Sequence, residues 1–190
     1  MSRRIEIDLP GWLDDALDTP RAAATAEDRM RLAVWIAERN VAEGTGGPFG
    51  AVVVEAATGQ VVSAGANLVL PSANCTAHAE MVAIELAERV RGSYDLGMAG
   101  LPALELVTSV EPCAMCIGAL VWSGVTSLVC GAGSGAAADI GFDEGPRARD
   151  WVNQLECRGI SVRRDVLADE AARVLQRYAA GGGPIYNPGR

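Results

Sequence analysis

Apolar residues recur at Met30, Val34, Ala37 and Val41, the spacing of one helical face, and predict a helix over about 26–43. Gly44-Thr45-Gly46-Gly47-Pro48 breaks it. Two short runs, 50–54 and 61–66, read as strands joined by a turn around Thr58-Gly59. A helix follows over about 76–91, with Thr76 or Asn74 as its expected cap. Next come a short strand at 104–108, a helix at about 113–122 ending near Gly124, and a buried strand at 127–131. A further strand at 160–166 and helices over 148–157 and 168–179 complete the pattern. Residues 1–24 read as an N-terminal extension with one turn at Pro10-Gly11, and 180–190 as a C-terminal tail. The order α-β-β-α-β-α-β-α-β-α predicts an α/β sandwich around a mixed sheet, in one domain spanning 1–190.

The 27 uncharged residues between Glu111 and Asp139 are long enough to cross a bilayer. They hold five Gly, several Ser and Thr, and no flanking Lys/Arg cluster, so helix, turn and buried strand is the better reading and no membrane partner is expected. Charge narrows the chemistry further. All 16 basic residues are Arg, Lys is absent, and the only His is His78. Schiff-base and P-loop chemistry both need a Lys, and any triad or histidine metal site must pass through His78. A net charge of -8 argues against a nucleic-acid partner, although residues 147–190 carry 8 Arg against 5 acids. Five Cys at irregular spacing (75, 113, 116, 130, 157), with no signal peptide ahead of them, point to a reduced cytoplasmic protein rather than a disulfide framework.

Three segments carry candidate chemistry: His78-Ala79-Glu80, Glu111-Pro112-Cys113 and Cys113-Ala114-Met115-Cys116. One imidazole and two thiolates suit Zn2+, a borderline-soft ion. His78 is expected in the first turn of one helix, Cys113 at the start of another after a helix-opening Pro, and Cys116 on the same face one turn on. Three ligands leave a fourth position open, as a catalytic zinc that acidifies water requires. Glu80 is the candidate proton carrier. The competing arrangement adds Cys75 to make a CxxH…CxxC set, a closed structural site in a non-catalytic zinc-stabilised binding module. Gly131-Ala132-Gly133-Ser134-Gly135-Ala136 fits G-x-G-x-x-A, a weak dinucleotide fingerprint lying far past the first βα turn where it belongs.

His78, Glu80, Pro112, Cys113 and Cys116 match H-x-E…P-C-x-x-C, the zinc nucleobase deaminase signature. The chain resembles the cytidine deaminase superfamily from Arg29 to Asn187, and within it the bacterial guanine deaminases, including a subgroup also acting on amino-triazines such as ammeline. The closer likeness rests on Gly47-Pro48-Phe49, Thr76-Ala77-His78-Ala79-Glu80, Thr108-Ser109, Trp122, Gly141-Phe142-Asp143-Glu144-Gly145 and Ile185-Tyr186-Asn187. The resemblance implies a three-layer α/β/α sandwich with a five-stranded mixed sheet and a homodimer. It implies zinc on His78, Cys113 and Cys116, with Glu80 and Glu144 catalytic. Asn67, Phe49, Trp122, Ala79, Asp143 and Tyr186 would bind the base. The implied reaction is hydrolysis of guanine, a small-molecule nucleobase, to xanthine and ammonia through attack at C2. An ammeline, guanosine, cytosine or tRNA adenosine deaminase is the alternative within the class.

Overall fold

The structure is a computed structural model that describes residues 6–18 and 24–189. Residues 1–5 and 19–23 of the expected N-terminal extension and the last residue of the tail lie outside that range. Its sheet has the order β2-β1-β3-β4-β5. β1 (Gly47–Glu55) and β2 (Val61–Asn67) form an antiparallel hairpin, and β1 also pairs antiparallel with β3 (Leu104–Val110). β4 (Ser127–Ala132) and β5 (Ser161–Arg163) extend the sheet in parallel with β3. The expected five-stranded mixed sheet is present.

Alternation along the strands builds two cores, because successive side chains point to opposite faces. Val52, Val54, Val107 and Val129 pack on one face with α2 (Ala26–Ala42) and α8 (Ala168–Ala180). Ala51, Val53, Leu106 and Leu128 pack on the other with α4 (Ala79–Arg91), α5 (Ala114–Ser123) and α7 (Trp151–Glu156). Two glycines let helices sit unusually close. A Cβ on Gly50 would lie 2.3 Å from the Ala33 carbonyl of α2, and one on Gly65 would lie 2.1 Å from the Ala79 carbonyl of α4. The second contact sets the start of α4 against the end of β2, beside the site.

Several boundaries differ from the sequence reading. α4 begins at Ala79, so His78 is its N-cap and not a first-turn residue, and Cys113 is likewise the N-cap of α5. Neither side chain makes a capping hydrogen bond. Thr76 and Asn74 do not cap α4. Asn74 Oδ1 accepts from the Thr76 N–H at 3.0 Å and from its hydroxyl at 2.8 Å, closing a turn that lifts the chain into the helix. β5 stops at Arg163, and positive φ at Asp165 (61°) and Leu167 (51°) marks backbone incompatible with the expected longer strand. Short helices α1 (Asp15–Asp18), α3 (Val69–Ser72) and α6 (Ser134–Asp139) were not foreseen. The N-terminal segment is also more than an appendage: Leu13 and Ala16 are buried, and Trp12 packs edge-on against Trp35 at 6.1 Å.

α6 explains the glycine fingerprint. The motif does run from a strand into a helix, but the Ser134 N–H at that helix start donates to Glu111 Oε2 at 3.1 Å. A buried carboxylate holds the place a phosphate would need. Among the described residues no helix is long and apolar enough to cross a membrane.

Candidate active site

The N-termini of α4 and α5 converge where β3 ends. His78 Nδ1 lies 3.5 Å from Cys113 Sγ and 3.7 Å from Cys116 Sγ, and the two sulfurs are 3.5 Å apart. A tetrahedral ion with ordinary Zn–S and Zn–N bonds requires edges of about 3.8 Å between sulfurs and about 3.6 Å between sulfur and nitrogen. The triangle matches zinc to within about 0.3 Å on every edge. Among the described residues, the His/Cys/Asp/Glu cluster able to hold a metal consists of these three. Cys75 is exposed and outside the cluster, so the closed four-ligand arrangement is not formed.

Electrostatics agree with a cation here. Donation from Cys116, helped by His78, holds the Cys113 thiol down to about 4, while donating to Cys113 and burial push Cys116 well above its usual value. Burial works against a charged His78, but its contact with Cys113 and the charge of Glu80 raise its pKa on balance. A metal ion relieves this crowding by taking the place of the shared protons.

Glu80 is 6% exposed, in the first turn of α4, and its Oε1 accepts from the Thr108 hydroxyl at 3.2 Å. Burial, then the nearby Cys113 charge, raises its pKa. Such a carboxyl takes and returns a proton more readily near neutral pH. Thr108 is a partner the sequence reading did not name as a site residue, although it stands in the Thr-Ser pair ahead of Glu111.

A cavity of about 370 Å³ opens over these groups. Phe49 from β1, Asn67 from β2, and Asp143 and Glu144 from the loop after α6 line it, with Tyr186 from the tail. Cys75, Glu111, Phe142 and Asn187 also reach it. Phe142 centres an aromatic wall, with ring centroids 5.0 Å from both Phe49 and Tyr186 at near-perpendicular angles. Asn187 ties the tail down: its Nδ2 donates to the Gly141 carbonyl at 2.8 Å and its Oδ1 accepts from the Asp143 N–H at 2.9 Å. Phe142 and Asn187 are not among the residues the sequence predicts for the site, although they stand inside the Gly-Phe-Asp-Glu-Gly and Ile-Tyr-Asn motifs. The pKa of Glu144 is pushed up to about 7, first by burial and then by the charges of Cys113 and Glu80. Asn67 is buried, and its Oδ1 accepts from the Val69 N–H at 3.3 Å, which leaves the amide NH2 for a ligand. The Tyr186 hydroxyl is buried and, among the described residues, has no hydrogen-bond partner.

Two expected contacts are not brought to this cavity. Trp122 is 83% exposed near the end of α5 and does not line it. Ala79 is fully buried against the sheet and does not line it either, because Gly65 draws α4 so close. α5 is apolar on nearly every side, so its sequence could not say which face is covered.

Residues 23–132 match the family model of the cytidine and deoxycytidylate deaminase zinc-binding region. A solved guanine deaminase from Nitrosomonas europaea is 46% identical with a TM-score of 0.91, the match covering 95% of this chain and 98% of that one. The guanine deaminase of Bacillus subtilis (strain 168) is 41% identical over 118 residues, 62% of this chain and 71% of its own. A tRNA-specific adenosine deaminase of Haemophilus influenzae (strain ATCC 51907 / DSM 11121 / KW20 / Rd) is 31% identical over 152 residues, 80% of this chain and 82% of its own. The model covers more than half of the sequence and the solved relative nearly all of it: this chain belongs to the cytidine and deoxycytidylate deaminase family of zinc-dependent aminohydrolases.

Proposed function

We propose that the protein deaminates guanine, consuming water and releasing xanthine and ammonia. The observation that carries this reading is the pairing of a His-Cys-Cys triad with two carboxyls, the buried Glu80 and the half-buried Glu144, in one aromatic-walled cavity. Zinc, when bound, makes a water molecule acidic enough to serve as nucleophile near neutral pH. His78, Cys113 and Cys116 hold the ion. Glu80 would accept one proton of the water and pass it to the ring nitrogen as the C2–O bond forms, then carry the second, from the hydroxyl on C2, to the 2-amino nitrogen as its bond to C2 breaks and ammonia leaves. Glu144, in its ionised form, accepts from the N–H donors on the N1–N2 edge of guanine, with Asp143 beside it. Asn67 donates from its amide to an acceptor on the base. Phe49 and Phe142 wall in the planar ring, and Tyr186 with Asn187 covers it against bulk water. Among the described residues the lining holds no Arg, which suits a neutral ligand.

The −8 charge and the tail drawn over the cavity favour a free base over a tRNA loop. A homodimer belongs to the same reading. The exposed Trp122 and the uncovered apolar face of α5 support placing its seam there, and Trp122 would then belong to that seam and not to the base. Five free cysteines support a reducing, cytoplasmic setting. Ammonia release measured side by side on guanine, guanosine, ammeline, cytosine and adenine tests the substrate. Guanine is expected to be turned over fastest. Preference for ammeline, guanosine or cytosine would move the assignment to that substrate.

A further inference from the structure

Glu111 is buried, and its carboxylate is fully occupied. Oε2 accepts from the Ser134 N–H at 3.1 Å and from an Arg147 guanidinium nitrogen at 3.0 Å, and Oε1 takes two nitrogens of Arg164. Arg147 also donates to the Ser134 hydroxyl and to the Pro112 carbonyl. Trp151 lies under both guanidinium groups, at 5.3 Å from Arg147 and 5.9 Å from Arg164. A paired, buried carboxylate of this kind is a weak argument for stability, since desolvation offsets much of the attraction. Its value lies in what it holds in register.

The connectivity shows what that is. Glu111 and Pro112 are the two residues before Cys113. Arg147 stands three residues after Glu144 and shares its loop, with its own N–H donating to the Gly145 carbonyl at 2.9 Å. The Glu144 carbonyl accepts from the Ala114 N–H at 3.0 Å, at the start of α5. One side of the loop is therefore pinned to the tail by Asn187, and the other to the chain that delivers a metal ligand. Arg147 is the charged, multiply bonded part of that second attachment. Arg164 meets the same carboxylate from beyond β5 and holds no part of the loop.

We propose that Arg147, through Glu111, is a positioning residue for the reaction. It locks the 141–147 loop at a set distance from Cys113 and so aims Glu144 at the substrate. The proposal rests on Glu144 contacting the base. A misplacement of about 1 Å in such a group can cost on the order of 100-fold in rate.

The test compares Arg147→Ala, Arg147→Lys and Arg164→Ala in the zinc-loaded full chain. Arg147→Ala should lower kcat on guanine by about 10- to 100-fold with KM within about 3-fold and zinc content unchanged. Backbone amides of 141–147 should exchange hydrogen faster. Arg147→Lys should recover part of the rate, because one ammonium reaches Glu111 but cannot serve Ser134 and Pro112 as well. Arg164→Ala should leave kcat within about 3-fold and loop exchange unchanged, since its carboxylate keeps the other partners. Unchanged exchange at 141–147 in Arg147→Ala overturns the proposal, as does an equal loss of kcat in Arg164→Ala or activity lost only in step with zinc. Should Arg147→Ala not fold, Arg147→Lys carries the same comparison against wild type. If the wild-type chain released no ammonia from guanine, the reading of Glu144 would fail, while the exchange data would still decide whether Arg147 locks the loop.

Discussion

The metal half of the site and the half proposed to bind the base are built in different ways. The metal half uses two helix starts. His78 and Cys113 are N-caps of α4 and α5, Cys116 is one turn further on, and Glu80 sits in the first turn of α4. The base-binding half takes Phe49, Asn67, Glu144 and Tyr186 from four separated segments. Its ties include the Asn187 to Asp143 hydrogen bond, which spans 44 positions of chain. The difference teaches where tolerance should lie. A side chain set by a helix start is held by the helix itself, whereas Glu144 on its loop and Tyr186 on the tail are held only by tertiary contacts.

The sharpest break of the metal half is Glu80→Gln. It should retain zinc and lose about 100- to 10,000-fold in kcat, since the amide cannot carry the proton. Metal content and ammonia release on one preparation check it, and turnover at the wild-type rate would remove Glu80 from the reaction. The base-binding half is probed next by Glu144→Gln, expected to cost about 10- to 100-fold in kcat/KM at neutral pH. Its pH profile adds a sign. Only the ionised carboxylate accepts two N–H donors, so wild-type activity should fall as pH drops through a limb at or below the value of about 7 to which burial raises this carboxyl. The positive charge of the metal shifts the limb downward. Glu144→Gln should flatten it, and a limb that survives belongs to another group.

Asn67→Ala should act mainly on binding, raising KM by about 10-fold through the loss of one hydrogen bond to a buried base. A change confined to kcat would argue that Asn67 shapes the transition state instead. The smallest effect is expected for Cys75→Ser, with zinc content and Tm as in wild type. Metal loss there would overturn the three-ligand reading drawn from the exposed position of this thiol.

These contrasts follow what the sequence made legible. The helix and strand periods located every long element to within a few residues. The elements that went unforeseen are short: α1 and α3 have four residues each and α6 has six. A segment that short carries no periodic pattern. The metal ligands were legible because each motif is local, His78 with Glu80 and Cys113 with Cys116, although the two motifs stand 35 positions apart. The helix caps were not, because His78 and Cys113 occupy positions where a side chain normally bonds to the backbone. Resemblance places Trp122 on the base, yet it projects from a helix whose residues are apolar on nearly every side.

By itself the sequence determined the chemistry: one imidazole, two thiols at helical spacing, a carboxyl two residues from the histidine, and no lysine to support other mechanisms. Within each motif those features are short-range, and a helix start carries each motif into place. Tertiary structure decided the rest. It brought the 141–147 loop and the tail over the metal ligands, occupied the α6 start with Glu111, and turned Trp122 outward. Such contacts join residues many tens of positions apart, and only packing two cores on one sheet settles which of them meet.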